Sequence, residues 1–419
     1  MKVEGHQSNL ALFAPVKVDT GIEKVEWIDY RPTSQISRGS AIDFFIPGNG
    51  QNYIDLQKTK LYMKVRILKK DGTSITDQDS VGFVNLPHAS LFKQCEIQMQ
   101  HVNVETLNGY AYIGLLNTYL ESTDSELRSK RQSELYFQDD GSHMDATTTN
   151  TGNGGLMQRA TLTENGRIAE MEGPIHAGLF QQKRLLINGV SINIKFYPSP
   201  DTFALMSSDP NYVVDIIDIK LKVCNVAVNS DVIVAHAETL KNIPAIMPFT
   251  EKNIKSYSIP SGVMSWNGEN IYTGDIPQKV VVALTSAEGF SGSFQKNPFN
   301  FDHMDVSSIG FYVDGVSLPR PPLKTNYRAG QYVEAYHNMI SQTEGICITR
   351  EEFPKGFSLY VFQIESASKT IMSKSKKGHT RLNIEFAEPL PSATNVIVYS
   401  YFNKILEIDY ARNVSVGLA

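Results

Sequence analysis

The sequence predicts an all-β chain made of two tandem copies of one antiparallel unit, and three observations carry this. The first is a repeated order of elements. Ile46-Pro47-Gly48 is echoed by Ile259-Pro260-Ser261-Gly262, the strand-like run 61–68 by 279–284, and 92–100 by 306–313. Short second strands follow at Val102-Asn103-Val104 and Val316-Ser317-Leu318, then helical stretches at 110–120 and 331–340, and late alternating strands at 192–196 and 382–386. The spacing is about half of the 419-residue chain, the mark of a duplicated unit. The second observation is composition: 19 Tyr and 20 Phe against 2 Trp, a supply of aromatic residues that suits half-buried strands. The third is that helices are few and never alternate with strands in the βαβ manner, which excludes a parallel doubly wound sheet.

Residues 1–40 are expected to form an N-terminal arm. Pro15 and Pro32 interrupt a stretch without periodicity, and Trp27, Ile28 and Tyr30 make an apolar patch that must pack on some surface. The first unit spans 41–241. In Leu61-Tyr62-Met63-Lys64-Val65-Arg66-Ile67 the odd positions are apolar and the even ones mostly polar, a strand with one buried face, closed by a turn at Lys70-Asp71-Gly72. Cys95, Ile97 and Met99 alternate with Glu96, Gln98 and Gln100 in the same way. Tyr112, Leu115, Leu116, Tyr119 and Leu120 fall at helical spacing and predict one short helix lying on the sheet. Residues 139–166, polar and rich in Gly, Asn and Thr, predict a long exposed loop. Asn188-Gly189 predicts a two-residue hairpin between 185–187 and 190–196. A strand at 213–228 and a short helix at 235–241 lead to a boundary near Asn242.

The second unit, 242–419, repeats the scheme with strands at 254–259, 280–284, 309–313, 357–364, 382–386 and 395–401 and a helix over 332–340. Its long loop is 288–305. Each unit has room for about eight strands, which suits a jelly roll of two packed sheets. The predicted fold is therefore two tandem eight-stranded jelly rolls, a double jelly roll.

Composition narrows the function. A hydrophobic fraction of 41% and a charged fraction of 20% are those of a globular protein, and a net charge of −5 carries no nucleic-acid signature. Three cysteines, Cys95, Cys224 and Cys347, cannot all pair within the chain, and buried free thiols are expected. No uncharged run approaches the roughly 18 residues of a spanning helix. The beginning, MKVEGHQSNL, lacks the apolar core of a signal peptide, so synthesis in the cytosol is expected and the acceptor pattern Asn413-Val414-Ser415 carries no meaning.

No catalytic, cofactor-binding or metal residue is assigned. Ser142-His143-Met144-Asp145 and Asp302-His303-Met304-Asp305 each place a His beside carboxylates, but a metal site needs three or four converging ligands, and polar-loop His and Asp ordinarily face water. Gly289-Phe290-Ser291-Gly292-Ser293 misplaces the second glycine of a nucleophile elbow. Gly152-Asn153-Gly154-Gly155 lacks the Gly-Lys-Ser/Thr of a phosphate loop. Lys369, Lys374, Lys376, Lys377, His379 and Arg381 concentrate positive charge, which is expected to be the solvated tip of a hairpin between 357–364 and 382–386, because no aromatic platform interleaves them.

The chain resembles the double jelly-roll major capsid proteins, and in particular those of animal Polinton (Maverick) elements and adintoviruses. The resemblance rests on Asp43-Phe44-Phe45-Ile46-Pro47-Gly48, Tyr53-Ile54-Asp55-Leu56, Leu185-Leu186-Ile187-Asn188-Gly189-Val190, Lys296-Asn297-Pro298-Phe299-Asn300-Phe301, Gly330-Gln331-Tyr332-Val333 and Asn395-Val396-Ile397-Val398-Tyr399. It covers most of 42–410 and leaves the first 40 residues outside. It implies a homotrimeric, pseudo-hexagonal capsomer of an icosahedral shell, with neighbouring capsomers and penton and minor capsid proteins as partners. It also implies a location in the virion capsid, with synthesis in the host cytoplasm and assembly there or in the nucleus. It implies no enzyme, no cofactor, no membrane span and no sequence-specific nucleic-acid binding. Two other classes stay open from the residues alone. One is a receptor-binding spike or lectin-like protein reading through the loops 139–166 and 288–305. The other is a two-jelly-roll glycan hydrolase, which would need two carboxylates converging to about 5–10 Å.

Overall fold

The computed structural model describes residues 21–48, 50–343, 348–364 and 376–418. Cys347, Lys369, Lys374, the first 20 residues and 365–375 lie outside the described residues. The strands Leu359–Gln363 and Lys377–Phe386 that flank the last of these belong to different sheets, so the expected hairpin between them is not formed.

The first half contributes strands β1 (Ile22–Tyr30), β2 (Ile42–Ile46), β3 (Tyr53–Lys69), β4 (Phe92–Met99), β5 (Val102–Asn108), β6 (Ala169–Pro174), β7 (Ile192–Pro198) and β8 (Tyr212–Val228). The second contributes β9 (Ala245–Ile259), β10 (Ser265–Gly268), β11 (Lys279–Ser286), β12 (Val306–Val313), β13 (Val316–Ser317), β14 (Leu359–Gln363), β15 (Lys377–Phe386) and β16 (Thr394–Ile408). Short strands at Val81–Phe83, Leu205–Ser207, Thr273–Asp275, Leu323–Lys324 and Val414–Leu418 extend or flank these sheets.

In the first half one sheet runs β1-β8-β3-β6 and the other β2-β7-β4-β5. In the second half the orders are β9-β16-β11-β14 and β10-β15-β12-β13. Every strand of the first half therefore has its counterpart eight strands later in the same place. All ladders between these strands are antiparallel. Apart from the β4-β5 hairpin, each connection in the first half crosses to the other sheet. That is the winding of a jelly roll, and the double jelly roll is present as the sequence predicts.

The period-two pattern sets the core. Leu61, Met63, Val65 and Ile67 on β3 point inward, as do Cys95, Ile97 and Met99 on β4, and all seven are fully buried. On the outer face Lys60 and Lys64 pair with Glu172 and Glu170 of β6 at 3.3 and 2.8 Å, exposed contacts that add little stability. Cys95 and Cys224 are buried free thiols. The turn after β3 closes through Gly72 N–H donating to Lys69 O at 2.9 Å.

Several expectations are corrected. The segment 22–30 is not an arm outside the barrel but its first strand, paired with β8 from Ile22↔Val228 to Tyr30↔Leu221. Its counterpart in the second half is β9, so the first barrel begins before residue 41. Backbone pairing holds the strand, while Trp27 stays 53% exposed. The Ile46 and Ile259 echoes are not equivalent positions, because Ile46 ends β2 and Ile259 ends β9, in non-corresponding sheets. The turn at Asn188-Gly189 exists, but residue 186 makes a single bridge to Ile54 rather than a hairpin with β7. That bridge ties the segment to β3, in the opposite sheet.

Both long loops are also more ordered than predicted. Residues 139–166 contain helix α2 (Gly154–Thr161), following the helix α1 (Tyr110–Glu121). Asn153 caps α2 by accepting from Gly155 and Leu156 N–H at 3.1 and 3.3 Å. The helix packs on Val81–Phe83, and its Arg159 is buried, donating to Phe83 O, Phe137 O and Asp139 Oδ1 at 2.8, 2.8 and 2.6 Å. In the loop 288–305, Phe294, Phe299 and Phe301 are buried. Polar composition misleads here because many of the hydrogen bonds are internal and most of the few apolar side chains, Met144 and Leu156 among them, are used for docking.

Candidate functional site

Besides the Arg159–Asp139 pair, buried polar side chains among the described residues gather at the seam between the barrels and in a side-chain cluster inside the first barrel. The seam is built on α1. The sequence predicts a helix with one apolar face, yet every residue from Tyr110 to Leu120 is buried. Both barrels cover it. Tyr112 stacks on Phe290 with ring centroids 5.6 Å apart and meets Phe299 edge-on at 5.5 Å. Tyr119 meets Phe357 at 5.9 Å. Burial of this helix on all sides is explained by its place between two bodies.

Beside these rings lies a polar lock. Lys252 on β9 is 1% exposed and donates to Asn117 Oδ1, to Gln181 Oε1 at 2.5 Å and to Glu121, 3.2 Å away. Burial lowers the Lys252 pKa, and the Glu121 carboxylate opposes that shift. Glu105 on β5 is buried nearby. Burial pushes its carboxyl up to about 7, against the opposing pull of Gly178 and Leu179 N–H, which donate to it at 3.0 and 3.2 Å. The backbones approach closely enough to need glycine: a Cβ on Gly178 would lie 1.8 Å from Thr250 O, and one on Gly141 2.2 Å from Lys355 O. Further bonds cross at the edge, where Asp145 accepts from Lys296 Nζ and Asn297 N–H, both at 2.9 Å.

The candidate residues of the sequence do not converge into an active site. Exposed His143 pairs with Asp140 at 3.3 Å, while Met144 is core and Asp145 is engaged across the seam. His303 stacks on Tyr327 at 4.0 Å, with Asp305 at 3.5 Å. Ser293 Oγ donates to Glu288 at 2.9 Å, and the preceding residues form a one-turn helix capped by Ser286. Lys377, His379 and Arg381 belong to β15; Arg381 lies over the Tyr312 ring at 4.6 Å, and His379 N–H donates to Asp314 at 2.8 Å.

The second cluster was not legible in the sequence. His88 comes from the one-turn helix Pro87–Ser90, Glu134 from the end of Lys130–Glu134, and His176 from just after β6. Each is fully buried or within 1% of it. Glu134 Oε2 lies 2.8 Å from His176 Nε2 and 3.9 Å from His88 Nδ1, and Arg131 donates to Oε1 at 2.7 Å. Burial would raise the Glu134 pKa, but His176, Arg131 and His88 together hold it down at about 2. His88 is itself pushed down to about 4 by burial, so at neutral pH it is uncharged and Arg131 is the stronger support for the carboxylate. Three residues scattered along the chain without a fixed spacing leave no motif to find.

No family model matches the chain. An uncharacterized protein of Caenorhabditis elegans, F54H12.2, is 21% identical over 425 residues, covering 94% of this chain and 97% of that protein. Among solved structures, a chain of the Sputnik virophage shares 12% identity at a TM-score of 0.65, covering 100% of this chain and 93% of its own. The Faustovirus major capsid protein shares 9% at 0.57 over 94% and 92%. The mavirus major capsid protein shares 11% at 0.54 over 99% and 95%. These are double jelly-roll capsid proteins, and this chain shares their fold.

Proposed function

We propose that the chain is a structural major capsid protein whose activity is assembly. The observation that carries this is the correspondence of the two halves, strand for strand, with a buried helix sealing them into one block. A chain with two like barrels becomes a ring of six like barrels when three copies associate, so a threefold object meets its neighbours through six similar sides. The agreement in fold over the whole length of several capsid proteins supports the same reading. The division of the chain into barrels near residue 242 belongs to this proposal, since α3 (Ser230–Leu240) separates β8 from β9. So do a homotrimer, contacts with neighbouring, penton and minor capsid proteins, a virion location and the absence of enzymatic activity. The kinship with capsid proteins of animal Polinton elements belongs to the same proposal, and a relative in an animal, Caenorhabditis elegans, fits it.

The test is expression of the full chain, with mass measured by light scattering and particles viewed by electron microscopy. Trimers that tile into shells or hexagonal sheets are expected. A protein that remains monomeric at all concentrations and salt conditions would overturn the reading.

A further inference from the structure

The cluster inside the first barrel leaves one feature unexplained by hydrogen bonding. His88 Nε2 lies 3.0 Å from Leu61 O. A carbonyl only accepts, so Nε2 carries the proton, and in the neutral ring Nδ1 presents a lone pair. That lone pair has no partner, is shut off from water, and faces the Glu134 carboxylate oxygen at 3.9 Å. Two electron-rich atoms facing each other in a dry interior repel unless a cation sits between them. Two ligand atoms on a tetrahedral zinc with bonds of about 2.0–2.2 Å lie roughly 3.3–3.6 Å apart, so the 3.9 Å gap is wide enough to admit the ion and closes slightly on binding it. His176 Nε2 completes a set of three ligand atoms within 4.8 Å of one another.

We propose that His88 Nδ1, Glu134 Oε2 and His176 Nε2 bind one divalent zinc-class ion as a structural centre of the first barrel. Two imidazoles and one carboxylate suit a borderline ion of this kind, whereas calcium and magnesium take mainly oxygen. The surroundings are those of a metal centre. His88 donates its distal N–H to a backbone carbonyl, which fixes that ligand in orientation. Gly173 leaves room for the Glu134 stem, since a Cβ there would lie 2.4 Å from Glu134 Cγ. Without metal the His176 Nε2 proton takes the ion's place against Oε2; on binding it passes to His176 Nδ1, which has no partner. Arg131 opposes the ion's charge, so its side chain, 11% exposed and already donating to Ser122 Oγ, sets the affinity.

The experiment uses the full chain, made without a polyhistidine tag and equilibrated with zinc alone. One zinc per chain by elemental analysis is expected, with a melting temperature that falls by several degrees when the metal is chelated and recovers on adding zinc. Arg131→Gln removes the competing charge and should bind zinc about tenfold more tightly. Wild-type protein that holds no zinc and melts alike with zinc or chelator overturns the proposal, and needs no variant to fold. Zinc retained at full stoichiometry by the double variant His88→Gln, His176→Gln, or a folded Arg131→Gln protein that binds no more tightly, overturns it as well. None of these outcomes depends on shell assembly.

Discussion

The Lys252 ammonium of the second barrel lies 3.2 Å from the Glu121 carboxylate at the end of the helix buried under the first. It is a lysine without access to water, held by Asn117 and Gln181 as well, and it joins the two halves at a point where neither alone would bury it. Lys252→Ala leaves those acceptors unpaired in the seam, and a loss of about 2–3 kcal/mol is expected, discounted for the partial exposure of Glu121. Lys252→Met, which keeps the volume, should cost less. Denaturant unfolding of both variants measures the difference.

At Gly178 the backbones of the two barrels approach too closely for a Cβ. Gly178→Ala forces its Cβ against Thr250 O and should destabilise by about 1–3 kcal/mol through overpacking. Gly154 at the start of α2 has open space around its Cβ, and Gly154→Ala there should be neutral or stabilise by up to about 1 kcal/mol. Opposite shifts in melting temperature confirm the contrast.

The Glu105 carboxyl stays protonated in the folded chain up to about pH 7, whereas the unfolded chain releases that proton near its ordinary value of 4.5. Between those values the native state binds more protons, so stability falls as pH rises from about 4.5 to about 7 and is level above. The limit is about 1.4 kcal/mol per pH unit, or roughly 3 kcal/mol in all. Glu105→Gln should flatten this slope. Urea midpoints at pH 5, 6 and 8 for wild type and variant isolate the contribution, and equal slopes would refute it.

The insert should resist proteases where its composition suggests cleavage. Arg159→Ala leaves Asp139 buried without its partner, with an expected cost of about 3–5 kcal/mol. Limited proteolysis should spare α2 in the wild type and cut there in the variant.

Removing residues 1–31 takes away β1 and uncovers the edge of β8. The first barrel should lose stability in the isolated protein, besides any effect on assembly. Trp27→Ala should leave stability within about 1 kcal/mol, because the side chain is mostly outside, yet reduce particle yield under the capsid reading. Melting curves and particle counts separate the two effects.

The sequence by itself determined the strands with one buried face and the duplication. The alternation at 61–67 and at 95–99 is local, and a one-residue slip would expose every core side chain. It also located the helices at Tyr110–Glu121, Ser230–Leu240 and Val333–Ser341 and the turn at Asn188-Gly189. Tertiary structure decided whatever depends on distant partners. The strand 22–30 has its place because β8 offers it an edge, and its own periodicity is too poor to announce a buried face. Helix α1 is buried all round because a second barrel covers the side that a single sheet would leave open. Arg159 is hidden because three acceptors from separate segments converge on it, and His88, Glu134 and His176 meet only when the first barrel closes. Periodicity is written along the chain and is legible there, while convergence of side chains far apart in sequence arises from packing, which no local pattern records.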